Sequence, residues 1–392
     1  MSRQITKRGF NVSHNQMHTE WAPDRIETVI TPATSQVGFG SYFTIDYKEL
    51  GVELLDCTLQ FNFSALSGTT VTHFVPSYFF CSRIEWVQNG KVLDTYWPVE
   101  QFLRNQLYVE DEDRVFYNIC AGAYQSTSQR VTMASTANSY YLPLRGLFKQ
   151  GSPLPLLDIS HNIQLRIYMD TLANITAPAG APVCTFNSCN LLTKVVRLRK
   201  NEIDVKTNEI SKRPLHLKFS ENRYMSSIVN SGVSSANIVL TGLNGRFSHI
   251  MFVVRPSASL VNDNCYQFTP IQSFAILDSA STNIVGGQSI SNSEALLILN
   301  RDWALSTYSS ENALSYGTDN KANVYLYSFC ADPIDVMLQG KSSGMHRFLG
   351  NEQLQLTFQS TLGASVQVDI FGYNEAVLEI GKNYVERKDF AL

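Results

Sequence analysis

The feature of this sequence that most limits its fold is a strict alternation of apolar and polar residues in short segments. The clearest segment is 55–65, where odd-numbered residues are apolar and even-numbered residues are polar. Its apolar positions are Leu55, Cys57, Leu59, Phe61, Phe63 and Ala65. The same period returns in 163–169, 354–358 and 366–370. A period of two places alternate side chains on opposite faces of a strand, so the sequence predicts an all-β protein.

Turn and helix signals are few and specific. Asn89 and Gly90 interrupt the alternating segment 84–93, and this pair is typical of a type I′ hairpin turn. Only one segment strongly predicts a helix: it begins at Pro98 and carries one apolar stripe to about Val109. That stripe contains Val99, Phe102, Leu103 and Leu107. The acidic run 110–113 lacks the Gly-punctuated ligand loop of a calcium site, which favours a solvated turn.

The length of 392 residues suits two β domains of roughly 180 residues each. Three short matches, in the same order and at nearly one spacing, indicate an internal duplication. They pair Ile84 with Phe274, Leu165 with Leu354, and Tyr141 with Tyr325, at offsets of 190, 189 and 184. We therefore predict an N-terminal arm at 1–24, domains at 25–200 and 213–392, and a polar linker at 201–212. Domains of this size favour jelly rolls over immunoglobulin-type sandwiches.

Composition excludes several classes of protein. A net charge of −3, with 17% charged residues, argues against a chain whose main role is to wrap nucleic acid. The basic residues of 194–200 indicate a solvated strand face. Seven cysteines without a C-x-x-C pair predict free thiols in a reducing compartment. The polar N-terminus and the lack of a long apolar run lead us to expect cytosolic synthesis and no membrane span.

Four stretches resemble the double jelly-roll major capsid proteins of tailless icosahedral DNA viruses. Residues 80–103, FCSRIEWVQNGKVLDTYWPVEQFL, resemble the family's hairpin that leads into a short helix. Residues 140–169 resemble its strand, Pro-Leu turn and following strand. Residues 323–333, NVYLYSFCADP, and 353–383, ending FGYNEAVLEIGKN, are similar to segments of its second jelly roll. The sequence departs from the family at LQGKSSGMHRF, where a Gly is kept and an Asn-Phe is missing.

This resemblance implies two tandem eight-stranded jelly rolls, a short helix and an extended N-terminal arm. It implies a major capsid protein whose homotrimers form pseudo-hexameric capsomers that tile the shell of a large eukaryotic DNA virus, virophage or polinton-like virus. The implied partners are further copies of the chain, minor capsid proteins and vertex (penton) proteins. The resemblance implies no cofactor and no small-molecule substrate, a place in the virion, and synthesis in the host cytoplasm.

The N-terminal arm is the candidate assembly element. Residues 1–24 have no apolar periodicity, yet Arg3, Lys7 and Arg8 concentrate positive charge there. At the base of a capsomer the arm would face the particle interior. It would then bridge neighbouring capsomers or contact an internal membrane or packaged DNA. The alternative is an inert tail.

Two other function classes remain to be weighed. An enzyme is disfavoured, because the seven histidines form no H-E-x-x-H or H-x-H pattern and no G-x-S-x-G or phosphate-binding Gly-rich motif occurs. A carbohydrate- or receptor-binding β-sandwich, such as a lectin or spike, is the main alternative, in which exposed aromatic residues and Asn/Ser-rich loops such as 305–316 would bind sugars. Sequons at Asn11, Asn62 and Asn174 carry little weight without secretion.

Overall fold

The computed structural model describes residues 26–107, 118–122, 127–144, 153–257, 268–284, 290–291, 324–330 and 344–389. The predicted arm with Arg3, Lys7 and Arg8, the acidic run 110–113 and the loop 305–316 lie outside the described residues. Within the described residues, no helix is long and apolar enough to cross a membrane.

The first half of the chain contains thirteen described strands. They are β1 (Ile26–Pro32), β2 (Tyr42–Tyr47), β3 (Val52–Phe63), β4 (Ser67–Thr69), β5 (His73–Phe74), β6 (Cys81–Gln88), β7 (Lys91–Tyr96), β8 (Asn138–Leu144), β9 (Leu154–Leu156), β10 (Ile163–Met169), β11 (Thr176–Ala177), β12 (Ala181–Val183) and β13 (Phe186–Arg197). The helices are α1 (Pro98–Leu107), α2 (Thr127–Ala134) and α3 (Lys200–Lys212), with 3-10 turns at Ser77–Phe79 and Ile159–His161.

The second half follows α3 and contains eleven described strands. They are β14 (Leu215–Val229), β15 (Ser235–Val239), β16 (Asn244–Phe247), β17 (His249–Pro256), β18 (Ile271–Leu277), β19 (Ile290–Ser291), β20 (Val324–Ser328), β21 (His346–Leu349), β22 (Gln353–Phe358), β23 (Val366–Gly381) and β24 (Tyr384–Asp389).

Each half has two main antiparallel sheets with the same strand order, and the pairs β11-β5, β12-β4 and β16-β21 form three small additional sheets. Sheet 1A has the order β1-β13-β3-β8, with β9 also on β3, and sheet 1B has the order β2-β10-β6-β7. Sheet 2A has the order β14-β23-β17-β20, with β24 also on β23, and sheet 2B has the order β15-β22-β18-β19. Four strands against four, in this crossed order, form a jelly roll. The predicted fold class of two tandem jelly rolls is confirmed.

The internal duplication extends to the register of the strands. In sheet 1B, Leu165 lies opposite Trp86, and Ile167 lies opposite Ile84. In sheet 2B, Leu354 lies opposite Ile276, and Leu356 lies opposite Phe274. The matches at offsets of 190 and 189 therefore identify equivalent strands that pair in the same register.

The third match identifies equivalent strands but is wrong by one residue. Tyr325 on β20 is buried in the core of the second jelly roll, opposite Phe252. Its counterpart on β8 is Tyr140, which is buried opposite Phe61, whereas Tyr141 points to the other face of sheet 1A. A shift of one residue moves a side chain to the opposite face of a strand, and pairing Tyr325 with Tyr140, at an offset of 185, places both rings on the inner face.

Most of the alternation predicted for 55–65 is confirmed on strand β3, but the prediction is wrong at both ends of the segment. Cys57, Leu59, Phe61 and Phe63 are buried as predicted. Leu55 is only half-buried, because the pairing with β13 jumps from Asp56 to Leu54. This irregularity is a β-bulge, which resets the alternation so that Leu54 is buried instead. Ala65 lies beyond the end of the strand and is exposed.

The hairpin and the first helix lie where the sequence places them. Asn89 and Gly90 join β6 to β7 with φ values of 47° and 80°, the left-handed conformations that a type I′ turn requires. Helix α1 begins at Pro98, and Val99, Phe102 and Leu103 on its predicted stripe are buried.

The expectation of only one clear helix is wrong, since α2 and α3 also form. Helix α3 occupies the whole of the predicted linker. The Glu202 carboxylate accepts a hydrogen bond from the Arg199 backbone N–H at 2.7 Å, which caps the first turn. Ile210 is buried, and Ile203 packs over Gly51, where a Cβ would come within 2.6 Å of it. The apolar residues that dock this polar helix lie one heptad apart, and Lys206 adds an ion pair to Glu53, which together form too weak a pattern to recognise in the sequence.

Candidate assembly interface

Sheet 2A is buried on both faces, and this separates it from the other sheets. Its inner side chains, such as Phe252 and Ile370, belong to the core of the second jelly roll. Its outer side chains belong to the same buried cluster as the core of the first jelly roll: Met251, Val253, Val324, Leu326, Phe371 and Tyr373. The two jelly rolls are therefore joined by an apolar seam on the outer face of sheet 2A.

The first jelly roll covers this seam with Trp97 and helix α1. The Trp97 and Tyr224 rings are 4.4 Å apart between centroids. Glu100 has no exposed surface. Its carboxylate accepts a hydrogen bond from the Tyr373 hydroxyl at 3.4 Å and forms an ion pair with Arg104, whose Nε lies 2.7 Å away. The Arg104 guanidinium also lies 6.0 Å from the centre of the Tyr373 ring. A buried pair with several partners fixes geometry, because its groups are costly to leave unpaired.

A second buried ion pair lies on the same outer face. Arg255 Nε donates to the Asp369 carboxylate, and both side chains are almost fully buried. The same carboxylate accepts hydrogen bonds from the Tyr224 hydroxyl at 2.8 Å and from the Gln367 amide at 2.7 Å. Burial raises the pKa of Tyr224, with the neighbouring Asp369 charge adding to the shift. Tyr224 therefore stays protonated and acts as a donor.

Two buried histidines complete the contact between the halves. The His249 ring stacks on Tyr373 at 4.5 Å, and burial, followed by the charge of Arg104, lowers its pKa to about 3. His161 accepts from the Leu157 N–H at 3.2 Å and so donates through Nε2 to the Gly381 carbonyl at 2.8 Å. Burial lowers the pKa of His161 as well. Both imidazoles are neutral at pH 7 and serve as structural hydrogen-bonding groups.

Sequence reasoning missed this seam. One signal was present: residues 249–254 are apolar apart from His249, with no alternation, as expected of a strand that is buried on both faces. The identity of the covering element is long-range information that no local pattern carries.

The outer face of sheet 1A has the opposite chemistry. Gln60 donates to the Tyr141 hydroxyl at 3.2 Å and accepts from the Asn190 amide at 2.9 Å. Asn62 donates to Ser188 at 2.8 Å and accepts from Ser139 at 2.6 Å. We call these six residues the polar ladder. All are half-buried, so the ladder lies on a face that the described part of the chain covers only partly.

The remaining sequence-predicted residues have structural roles where they are described. Arg197 of the basic strand pairs with Glu27 at 2.9 Å and with Glu49 at 3.1 Å on an exposed surface. The sequon residue Asn174 donates to Asp170 at 2.7 Å, and Asn62 belongs to the polar ladder. The six cysteines of the described ranges are free thiols. Those ranges contain no group of three or more potential metal ligands.

Comparisons with known proteins agree with this architecture. No family model matches the chain. No curated protein matches its sequence either. The fold is nevertheless similar to PBCV-1 VP54, as fitted into a reconstruction of the virophage Sputnik, with a TM-score of 0.68 and 16% identity over 93% of this chain and 97% of that one.

Two further solved structures are similar along almost their whole length. The Faustovirus major capsid protein gives a TM-score of 0.62 at 10% identity, covering 94% of this chain and 93% of that one. The mavirus major capsid protein gives 0.54 at 11% identity, covering 99% and 95%. At these identities the similarity establishes the fold, and it confirms that the chain resembles double jelly-roll capsid proteins.

Proposed function

We propose that this chain is the major capsid protein of a tailless icosahedral DNA virus, with a structural and not an enzymatic role. The single observation that carries the proposal is the tandem duplication of the jelly roll, in the same sheet order and register, across nearly the whole chain. Solved capsid proteins with this fold match over more than nine-tenths of this chain.

A duplicated domain has a direct use in building a shell. Two similar halves in each chain allow three copies to present six nearly equivalent edges around one threefold axis. Such a unit tiles a hexagonal sheet, as an icosahedral face requires. We therefore infer that the chain forms a homotrimer, which in turn contacts neighbouring capsomers, minor capsid proteins and penton proteins in the virion.

The experiment that tests this proposal measures mass and shape. Light scattering of the purified protein is expected to give about three times the chain mass of 44.0 kDa, and negative-stain microscopy to show hexagonal capsomers. A protein that stays monomeric at micromolar concentration contradicts the proposal. A monomer that binds glycans would instead support the carbohydrate-binding alternative.

We also propose that the N-terminal arm acts in shell assembly through Arg3, Lys7 and Arg8. Its net positive charge on an acidic chain supports contact with lipid headgroups, with DNA or with an adjacent capsomer. Deletion of residues 1–20 is expected to leave the trimer and its melting temperature unchanged while shells fail to form. Normal shells from the deletion variant would show that the arm is dispensable. The domain limits 25–200 and 213–392, with synthesis in the host cytoplasm, remain predictions.

A further inference from the structure

The small sheet β16-β21 lies beyond the ends of β15 and β22, and its two faces differ in chemistry. On the inner face, Phe247 and Phe348 belong to the core of the second jelly roll, with their ring centroids 5.8 Å apart. Phe247 also packs over Gly372 of β23, where a Cβ would come within 2.7 Å of the ring. The sheet is therefore held firmly by its inner face, which fixes the side chains that point outward.

The outer face of this sheet carries two arginines and two apolar residues. Arg246 on β16 lies directly opposite Arg347 on β21, and both are exposed. Leu349 follows Arg347 by two residues, so it lies on the same face, and it is 57% exposed. Met345, one residue before β21, is 38% exposed. We call Arg246, Arg347, Met345 and Leu349 the arginine face.

The two opposed arginines are a like-charge pair without compensation. Directly opposite residues of a ladder have Cβ atoms about 4.5–5.5 Å apart, and like charges at this distance destabilise the sheet. Neither guanidinium forms a hydrogen bond or an ion pair with any residue of the described ranges. Elsewhere on the surface, Arg83 pairs with Glu85 at 3.0 Å. Arg197 likewise pairs with Glu27 at 2.9 Å. The arginine face is therefore open to an anion from outside the chain.

Glu352, three residues beyond Leu349, does not neutralise the face. Its carboxylate accepts hydrogen bonds from the backbone N–H groups of Leu349, Gly350 and Asn351, at distances of 2.8, 2.9 and 3.2 Å. The Glu352 side chain is only 4% exposed, so its charge serves to hold this turn. Leu349 is consequently presented on a fixed backbone.

The corresponding ladder of the first jelly roll is covered. There β9 pairs with the start of β3 and precedes β10, as β21 pairs with β16 and precedes β22. Glu53, opposite Pro155 in that ladder, forms an ion pair with Lys206 of α3. Ile203 of the same helix packs over Gly51. Helix α3 thus shields the first ladder, whereas the arginine face of the second is exposed to solvent.

We propose that the arginine face binds the surface of a lipid bilayer that carries anionic phosphate headgroups. Planar guanidinium groups donate hydrogen bonds to phosphate oxygens in pairs, so an external phosphate removes the repulsion between the two arginines. Leu349 and Met345 then enter the boundary between the headgroups and the acyl chains. The face gains electrostatic attraction and apolar burial from the same contact.

The composition and size of the face favour a bilayer over other anionic partners. Sites for nucleic acids combine cations with polar or aromatic side chains, whereas the neighbours of these arginines are aliphatic. A stable protein interface buries about 800 Å² on each partner, which is more than four side chains present. A weak membrane contact suffices when it is repeated, since many copies on one particle bind together. In this respect the inference rests on the proposed function.

The position of the face agrees with this assignment. In the first half, Gly51, between β2 and β3, donates to the Leu156 carbonyl at 2.7 Å. In the second half, Leu240, between β15 and β16, donates to the Glu352 carbonyl at 2.8 Å. Strand β1 begins at this end of the first jelly roll, so the N-terminal arm joins the chain there. The arginine face and the basic arm therefore belong to corresponding ends of the two jelly rolls, as expected if both contact one surface.

Flotation of the purified full-length protein with lipid vesicles tests the site. The unaltered chain is expected to float with vesicles of equal parts phosphatidylcholine and phosphatidylserine, and to stay unbound with phosphatidylcholine alone. The double variant Arg246→Gln/Arg347→Gln is expected to lower binding by at least about tenfold. The matched control is Arg83→Gln/Arg197→Gln, which removes the same charge from ion-paired positions and is expected to bind like the unaltered chain.

A second variant distinguishes a bilayer from other polyanions. Leu349→Ser keeps both cations and is expected to lower binding to the same vesicles by about fivefold, because it removes apolar burial. Its binding to a DNA duplex is expected to equal that of the unaltered chain. Vesicle binding that Leu349→Ser leaves unchanged, together with DNA binding that requires both arginines, would assign the face to nucleic acid and overturn the proposal.

The remaining outcomes separate this inference from the proposed function. Equal vesicle binding by the two double variants, or no binding by the unaltered chain at low salt, would also overturn the arginine face. Light scattering gives the trimer mass of each variant, and circular dichroism with the melting temperature establishes that each one folds. Normal trimers that bind no vesicles would leave the capsid function intact, whereas an unaltered chain that stays monomeric would contradict that function whatever its vesicle binding.

Discussion

Sheets 1A and 2A have the same strand order and register, yet their outer faces follow opposite rules. In sheet 2A that face is mostly apolar, with one buried ion pair, and lies under the first jelly roll, whereas in sheet 1A it carries the polar ladder. The two halves therefore share the hydrogen-bonded pairing of the backbone. Their outward side chains differ, because each face is covered by different parts of the molecule. Since pairing depends on the backbone, each face can change its chemistry without altering the fold.

The largest expected effect comes from breaking the buried ion pair within α1, which contacts Tyr373 of the second jelly roll. Arg104→Ala leaves Glu100 buried without its cation, which is expected to lower the free energy of unfolding by about 3–5 kcal/mol. Arg197→Ala removes a cation from an exposed pair and is expected to cost less than about 1 kcal/mol. Urea unfolding monitored by tryptophan fluorescence compares the two variants. Equal midpoints would mean that the seam does not depend on this pair.

The next effect compares equivalent positions on the two outer faces. Met251→Ala opens a cavity in the seam and is expected to cost about 2–5 kcal/mol. Gln60→Ala removes half-buried hydrogen bonds and is expected to cost about 1 kcal/mol. Thermal unfolding of the two variants gives the difference. A larger loss of stability for Gln60→Ala than for Met251→Ala would show that the outer face of sheet 1A stabilises the chain more than the seam does.

A smaller effect is a pH dependence that originates in the seam. The pKa of His249 is about 3 in the folded chain and about 6.5 in an unfolded chain, so the unfolded state takes up the proton first as the pH falls. Stability is therefore complete only well above pH 6.5 and is expected to fall by about 1 kcal/mol between pH 6.5 and 5.5. His249→Phe keeps the stacking on Tyr373 and is expected to flatten this slope. An unchanged slope would assign the dependence to other groups.

The smallest expected effect concerns two glycines in turns, one in each half of the chain. Gly90 lies between β6 and β7 with φ 80°, and Gly232 lies between β14 and β15 with φ 88°. A Cβ at either position would meet no atom within 4 Å, so the cost of alanine comes only from the strain of a left-handed backbone conformation. Each substitution is expected to cost about 1 kcal/mol. Gly363→Ala, in equally open space, is expected to change stability by less than about 0.5 kcal/mol.

Local patterns predicted those parts of the molecule whose stability is itself local. The alternation from Cys57 to Phe63 and the Asn89-Gly90 turn each determine structure within a few residues, and both were predicted correctly. The bulge at Leu55 depends on how β3 meets β13, and that pairing joins distant parts of the chain.

The seam could not be derived in the same way. A strand buried on both faces was detectable in residues 249–254, but the partner that covers it lies about 150 residues earlier, in α1. The polar ladder was visible only as the polar half of the alternation in β3. Its difference from the outer face of sheet 2A depends on pairing between distant strands, which no local pattern carries.

Strand β23 has a mechanical consequence. It runs for sixteen residues, about 50 Å, pairs with β14 along almost all of that length, and on its other edge pairs first with β17 and then with β24. Tension along β23 loads these hydrogen bonds together in shear, so none can yield alone. Among the described strands, the edge strand β7 pairs with β6 alone, so tension across β7 would open its hydrogen bonds one after another. Pulling along the axis of β23 is therefore expected to need more force than peeling a single edge strand from its sheet.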